Sequence, residues 1–389
     1  MRHVIWLILS CMLACPVAAA PLGLPPVVGQ DRLHTVQEGE TLPGLAQRFR
    51  LAMEHIAFAN RLPIDQYIPD IDLGTTVVLP LRRILPVRPP LDGLVINLPE
   101  RGAYLFRHGQ FRNFYPIAMG RPGFETPRGT FYVIEKTKNP TWVPPAWAKV
   151  RDPIYPPGPN NPLGDRWIGL SSHGLGIHGT TSPEAIGMDI SHGCIRMYPD
   201  LVRELFDQVS VGMTVRIEYE PVKVGYDRDT GSVCMAVYPD VYGLADPQHR
   251  AQALMSGRGV PARRWSPVVQ RHSGRVVSLM ADRVEVVVDG HQVALLHGPV
   301  RRDGALWLPL PVLTAAGAGV TSGPTGLRLD VGSQTATLGP TDVYRQGGDT
   351  LVSVATLHNL GIRYDWEAAT DTLSIHPPAK HPPSPSPLP

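Results

Sequence analysis

The 389-residue sequence carries almost no net charge, only four cysteines and few aromatics (7%). Lys and Arg (36) nearly balance Asp and Glu (34), so no global field recommends nucleic acid as a partner. Beyond the N-terminus no stretch offers the ~18 uninterrupted apolar residues of a membrane-spanning helix. Two of the cysteines, Cys11 and Cys15, fall in the N-terminal segment, so at most one disulfide, Cys194 to Cys234, remains open. Hydrophobic residues still make up 43% of the chain, which argues against wholesale disorder.

Proline (42) and glycine (38) are abundant, about a fifth of the chain against ~12% in average proteins. That excess implies many turns and linkers rather than long helical bundles. At ~150 residues per domain, the length suits two or three domains. Met1-Arg2-His3, an apolar run over 4–13 and small residues at 17–20 read as a secretory signal, cut after Ala19. Leu13-Ala14-Cys15 is loosely lipobox-like, and lipidation at Cys15 would instead tether the chain to a membrane.

Residues 34–80 read as a small βααβ unit. A helix capped near Glu40-Thr41 carries Leu42, Leu45, Ala46 and Phe49 on one face, and a second carries Met53, Ile56, Ala57 and Asn60. With its Gly39–Thr41 turn, Asn60 and Gly74…Leu79-Pro80 end, the unit resembles the LysM domain, which implies binding to the glycan of peptidoglycan. Residues 80–90 form a Pro- and Arg-rich linker. From 91 to 219 short apolar strands alternate with turns, interrupted by a helix after Tyr198 whose Leu201, Leu205 and Val209 share a face. Residues 220–243 read as an extension of this β-rich domain and 244–275 as a linker. Over 276–376 the pattern repeats at an offset of about 44, with Leu308, Leu313, Gly317, Leu329 and Val331 echoed by Val352, Leu357, Gly361, Leu373 and Ile375. This α+β accessory domain resembles the N-terminal domain of copper amine oxidases. No copper is implied, because His291, His297, His358 and His376 lack ligand spacing. A Pro-rich tail follows from 377. The fold class expected is therefore multidomain and mainly β.

The chemistry concentrates between His178 and Arg196. A thiol of pKa ~8.5 is a poor nucleophile at neutral pH, and an adjacent imidazole can take its proton and return it to a leaving amine. Cys194 and His178 are separated by 179–193, a length that suits a return between neighbouring strands. The Gly179 carbonyl is placed to hold the other imidazole nitrogen. The Gly193 and Cys194 N–H groups are candidates for an oxyanion hole, and Arg196 would lower the thiol pKa or hold a substrate carboxylate. A structural disulfide to Cys234 leaves the flanking Ser-His-Gly unexplained. Zinc ligation by His173, His178, His192 and Cys194 lacks the spacing of short metal pairs.

The stretch HGTTSPEAIGMDISHGCIRM resembles the catalytic signature of the L,D-transpeptidase (YkuD) family, and the similarity runs through most of 91–240. With the LysM-like unit it looks like the ErfK/YbiS-type periplasmic enzymes. The resemblance implies Cys194 as nucleophile, His178 as general base, and His192 and Arg196 as supports. Tyr198 stands where that family often has Asn. Trp142, with Trp147, and His173 are candidate substrate contacts, against packing and loop roles respectively.

The reading is an exported peptidoglycan L,D-transpeptidase that needs no metal or organic cofactor. Its partners would be stem peptides and glycan, with an envelope lipoprotein as a possible acceptor, no nucleic acid, and a membrane only if Cys15 is lipidated. The alternatives are an L,D-carboxypeptidase, with water as acceptor, and a non-catalytic wall-binding scaffold.

Overall fold

A computed structural model describes residues 23–62, 71–144, 153–279, 285–293, 295, 298–302, 305–323, 326–339, 342–346, 349–367 and 372–377. The expected signal segment, Cys15, Trp147, His297 and the tail from 378 lie outside the described residues. The architecture is multidomain and mainly β, as the sequence pattern implies.

The N-terminal unit comprises β1 (Val27–Val28), β2 (Arg32–Thr35), α1 (Leu42–Arg48), α2 (Met53–Asn60), β3 (Thr76–Leu79) and β4 (Arg83–Ile84). β2 and β3 pair antiparallel, with Leu33 opposite Val78. Thr41 caps α1, its Oγ1 accepting from Gly44 N–H at 3.3 Å. Leu42, Leu45 and Ala46 from α1 meet Met53, Ile56 and Ala57 from α2 over Val77 and Leu79. Asn60 fastens the end of α2 to β3. Its Nδ2 donates to the carbonyls of Ile56 (2.7 Å) and Val78 (2.8 Å), and its Oδ1 accepts from Val78 N–H (2.7 Å).

The central domain is an eight-stranded sheet built from β5 (Gly93–Asn97), β6 (Gly102–Arg107), β7 (Gln110–Pro116), β9 (Gly129–Lys138), β10 (Arg166–Leu170), β11 (Gly176–His178), β13 (Ile195–Arg196) and β14 (Thr214–Glu218). Their order is β13-β11-β10-β9-β14-β5-β6-β7, with β11–β13 and β14–β5 parallel. The short β8 (Met119–Gly120) pairs in parallel with β12 (Asp189–Ser191), and an Ala118–Arg196 bridge ties this return to β13. α3 (Pro199–Gln208) starts with Pro199 at its first turn and Asp200 beside its positive end. It buries Leu201, Val202, Leu205 and Phe206 against the sheet, each contributing ~1.5–3 kcal/mol of apolar burial.

Three expectations need correction. Residues 244–275 are not a linker: α4 (Pro247–Met255) and α5 (Ala262–Arg271) pack Ala251, Met255, Trp265, Val268 and Val269 onto a three-stranded sheet. That sheet is β15 (Val222–Asp227), β16 (Ser232–Val237) and β17 (Val277–Ser278), so residues 220–243 share a core with the helices rather than simply extending the central domain. Gly257, Gly259 and Pro267 interrupt the helical periodicity that would have revealed the pair. The Pro/Arg-rich stretch 80–90 is no bare spacer either. Its β4 pairs with β1, and Ile84 is buried beside Cys234 and Tyr238.

The C-terminal repeat is realised as two strand–helix–strand copies. Leu308 and Val352, equivalent at the offset of 44, are direct partners in antiparallel strands, and both copies contribute to one core. Among the described residues no helix is long and apolar enough to cross a membrane.

Asn60→Ala leaves the Val78 N–H without its side-chain partner, a loss of roughly 1–3 kcal/mol. Amide hydrogen exchange should show the Val78 N–H losing protection in this variant. Unchanged protection would refute the role given to Asn60.

Candidate active site

The register of β11 on β13 builds the site. Ile177 pairs with Ile195 and both enter the core, so alternation sends His178, Arg196 and Cys194 to the opposite face. The 15-residue connection thus brings the thiol and the imidazole onto one surface.

His178 is buried (4% exposed), and its Nδ1–H donates to the Gly179 carbonyl at 2.7 Å. Because a carbonyl only accepts, the proton sits on Nδ1 and Nε2 is the free basic nitrogen. Burial, reinforced by the positive Arg196, pushes the imidazole pKa down to about 3, against the upward pull of the Gly179 bond. Cys194 is half-buried, and its S–H donates to the Gly174 carbonyl at 3.1 Å. Burial raises the thiol pKa, while Gly176 and Arg196 pull it back in part. Both groups therefore rest neutral, on the same face of the sheet. Arg196 exerts the downward pull expected of it, but desolvation is the larger effect.

The turn that carries the thiol is internally braced. Ser191 Oγ donates to the Cys194 carbonyl (2.5 Å) and accepts from Gly193 N–H (3.1 Å). Thr126 Oγ1 donates to the Gly193 carbonyl (2.9 Å) and accepts from Gly120 N–H (2.9 Å). Tyr242 closes the arrangement: its OH donates to Gly120 O (2.5 Å), and its ring stacks on Tyr219. The Gly193 amide, expected in an oxyanion hole, is thus already occupied by Ser191. Local backbone spacing could not reveal that tie, because it depends on how the turn closes.

His192 projects away from this network. Its Nε2 accepts from Arg121 (2.9 Å), its ring meets Phe124 edge-on at 4.6 Å, and the Arg121 guanidinium lies over Phe124. Burial, then Arg121 and Arg196, lower its pKa. The Nε of Arg196 is buried without a hydrogen-bond partner, with the guanidinium held beside the site. His173 is exposed, one residue before the carbonyl that holds the thiol. Trp142 is half-buried and its ring packs on Tyr155 at 5.7 Å, rather than on a residue of the Cys194–His178 face. Of the Pro- and Gly-rich stretch 144–164 ahead of the motif, 145–152 lie outside the described residues. Asn161 organises the rest, donating to Pro140 O and Tyr155 O, and Gly164 lies against Gly179.

Trp167 was not singled out by the sequence. Opposite His178 across β10–β11, its indole stacks on the imidazole at 5.9 Å between centroids, and its Nε1–H donates to Glu135. Gly176 makes room for it, since a Cβ there would sit 2.4 Å from the indole. Only cross-strand register brings these residues together; no spacing along the chain signals it. Among the described residues no group of three or more His, Cys, Asp or Glu is placed to hold a metal.

A family model described as an L,D-transpeptidase catalytic domain matches residues 92–217, and one described as a LysM domain matches 34–80. The chain is 34% identical over 230 residues to the probable L,D-transpeptidase YcfS of Escherichia coli K12, covering 54% of this chain and 71% of that protein. It is 31% identical to the probable L,D-transpeptidase ErfK/SrfK of Salmonella typhimurium, covering 67% and 91%. It is 30% identical to the probable L,D-transpeptidase YbiS of Escherichia coli K12, covering 68% and 84%.

The raised thiol pKa has a direct readout. Alkylation of Cys194 by iodoacetamide should rise with a pH midpoint above the ~8.5 of free cysteine, and Arg196→Gln should move it higher still. A wild-type midpoint below that of free cysteine would contradict the neutral resting pair.

Proposed function

Since the chain belongs to the L,D-transpeptidase family, we propose that Cys194 and His178 carry out its acyl transfer on peptidoglycan stem peptides. The observation that carries this reading is the pairing of β11 with β13, which sets the Cys194 thiol and a tautomerically fixed imidazole on one sheet face. The protein is a cysteine-dependent peptidoglycan acyltransferase with a LysM unit for the wall polymer.

The thiol leaves the Gly174 carbonyl by rotation about its side chain and turns to Nε2 of His178. As sulfur attacks the carbonyl of the diaminopimelate residue in a tetrapeptide stem, its proton passes to Nε2. The Cys194 N–H, rather than the occupied Gly193 N–H, faces the developing oxyanion. Collapse breaks the amide C–N bond, His178 returns the proton to the departing D-Ala amine, and a thioester remains. A second amine attacks the thioester, Nε2 takes its proton, and the thiol is restored.

The low imidazole pKa leaves the base unprotonated when the substrate arrives. Trp167 keeps the ring in plane, and Arg196 offsets the thiolate charge as it forms. His192, with Arg121, and the exposed His173 border the stem peptide, while Trp142 packs on Tyr155. A side-chain amine of another stem as acceptor yields a 3→3 cross-link; a lysine of an envelope lipoprotein yields an anchored protein. The chain works outside the cytoplasm at the cell wall, and export by the N-terminal signal to the periplasm accounts for this.

Wild-type protein incubated with a carbapenem should gain the mass of one adduct on Cys194, and Cys194→Ala should gain none. Cells expressing the two forms should differ in muropeptides or in wall-bound protein. Folded, reduced wild type without any adduct, or identical wall profiles, would refute the enzymatic reading.

A further inference from the structure

The LysM unit grips both flanks of the catalytic turn through a contact that the acyl-transfer chemistry does not use. The residues that open α2, 51–55, are all buried. Downstream of Cys194, Tyr198 OH donates to the Leu51 carbonyl at 3.1 Å, and Glu204 of α3 pairs with Arg50 at 2.5 Å. Upstream, Met188 packs into the core of the LysM unit. At Gly187 (φ +109) a Cβ would lie 1.8 Å from Glu54 Oε2 and 2.7 Å from Ala52 Cβ, so the two units touch backbone to side chain.

Glu54 is the residue in this contact whose state is unsettled. It is 4% exposed, and its Oε2 has no hydrogen-bond partner. The charged and titratable groups that face it are Arg101, Asp189 and Tyr198, with His55 next to it on its own helix. Arg101 Nη2 pairs with Asp189 Oδ1 at 3.0 Å. Asp189 opens β12, and β12 ends at Ser191, the residue that closes the turn around Cys194.

Resting on the function proposed above, we infer that Glu54 is a positioning residue for acyl transfer, competing with Asp189 for Arg101 and thereby setting the alignment of β12 and the Cys194 turn. With the Glu54 carboxyl protonated, Arg101 stays on Asp189 and β12 is anchored. When Glu54 ionises, a buried carboxylate draws the guanidinium towards the LysM unit and the anchor weakens. Burial pushes the Glu54 pKa up to about 7, with Arg101 opposing and nearby Asp189 adding to the rise. The exchange therefore falls in the neutral range, anchored below it and weakened above it.

The test is the rate of Cys194 acylation by a carbapenem, followed by mass spectrometry on the full chain from pH 5.5 to 9. Wild type, Glu54→Gln and Asp189→Asn are compared. Thiol ionisation acts on all three alike, so rate ratios isolate the positioning effect. Glu54→Gln, an isosteric neutral form, should match wild type at pH 5.5 and exceed it roughly three- to tenfold at pH 8.5. Asp189→Asn should be slower than wild type at pH 5.5, and this difference should shrink above pH 7. A second readout is hydrogen exchange at the Gly193 amide, corrected for intrinsic rate. Its protection should fall above pH 7 in wild type and persist in Glu54→Gln. A Glu54→Gln ratio that stays flat with pH, or a variant slower than wild type throughout, overturns the inference while leaving the enzymatic reading intact. Failure of wild type to acylate at any pH overturns both.

Discussion

One buried carboxylate holds the three N-terminal units together. Glu100, 1% exposed, accepts from Lys223 Nζ of β15 (2.8 Å), Tyr104 OH of β6 (2.5 Å) and Tyr238 OH (2.9 Å), while its backbone carbonyl accepts from His55 Nε2 of α2 (2.6 Å). Burial alone would raise its pKa, but Lys223, Arg83 and the hydrogen bonds from Lys223 and Tyr104 outweigh it and hold the carboxyl below its usual range. Burial lowers the Lys223 pKa despite the same contact, so the pair is matched rather than strongly stabilising. Removing one partner is another matter: an uncompensated charge left at this junction would cost ~3–5 kcal/mol. His55 is pushed down to about 3 by burial and then Arg83. It stays neutral, accepting from Ala52 N–H and donating to Glu100 O.

This junction has consequences for the site. Because Glu100 fixes the start of α2 to the central sheet, the next residue of the chain, Arg101, and its partner Asp189 lie close to Glu54 and to the turn that carries Cys194. The LysM unit and the Cys194–His178 site are thus parts of one packed arrangement. Tyr198 lies just beyond the motif, and its hydroxyl reaches Leu51 of the LysM unit, so a residue outside the motif's chemistry contributes to the packing.

Within the site, desolvation acts on both reacting groups in the same sense. It disfavours thiolate and imidazolium alike, and it leaves both groups neutral at rest. The β-rich scaffold supplies what such a pair needs. A carbonyl one residue away sets the tautomer, a serine hydroxyl closes the turn, and an indole stacks on the imidazole at a 29° tilt.

Much of this was legible along the chain because it is local. Helix periodicity marks α1, α2 and α3, and the repeat offset marks the paired C-terminal copies. His178 and Gly179 are neighbours, so the tautomer-setting bond follows from adjacency. Residues 244–275 do not read as helices along the chain, because Gly257 and Gly259 punctuate the stretch between α4 and α5, Pro267 sits inside α5, and only a partner sheet makes their apolar faces visible. By itself the sequence determined the kind of chemistry, a cysteine and a histidine in a glycine-bounded turn, and the family to which such a turn belongs. Only the tertiary structure decided that the Gly193 amide is spent on Ser191, that the thiol rests on Gly174, that Trp167 covers His178 and that Glu54 presses on Gly187. These contacts join residues brought together by strand register and domain packing, and one-dimensional spacing carries no record of either.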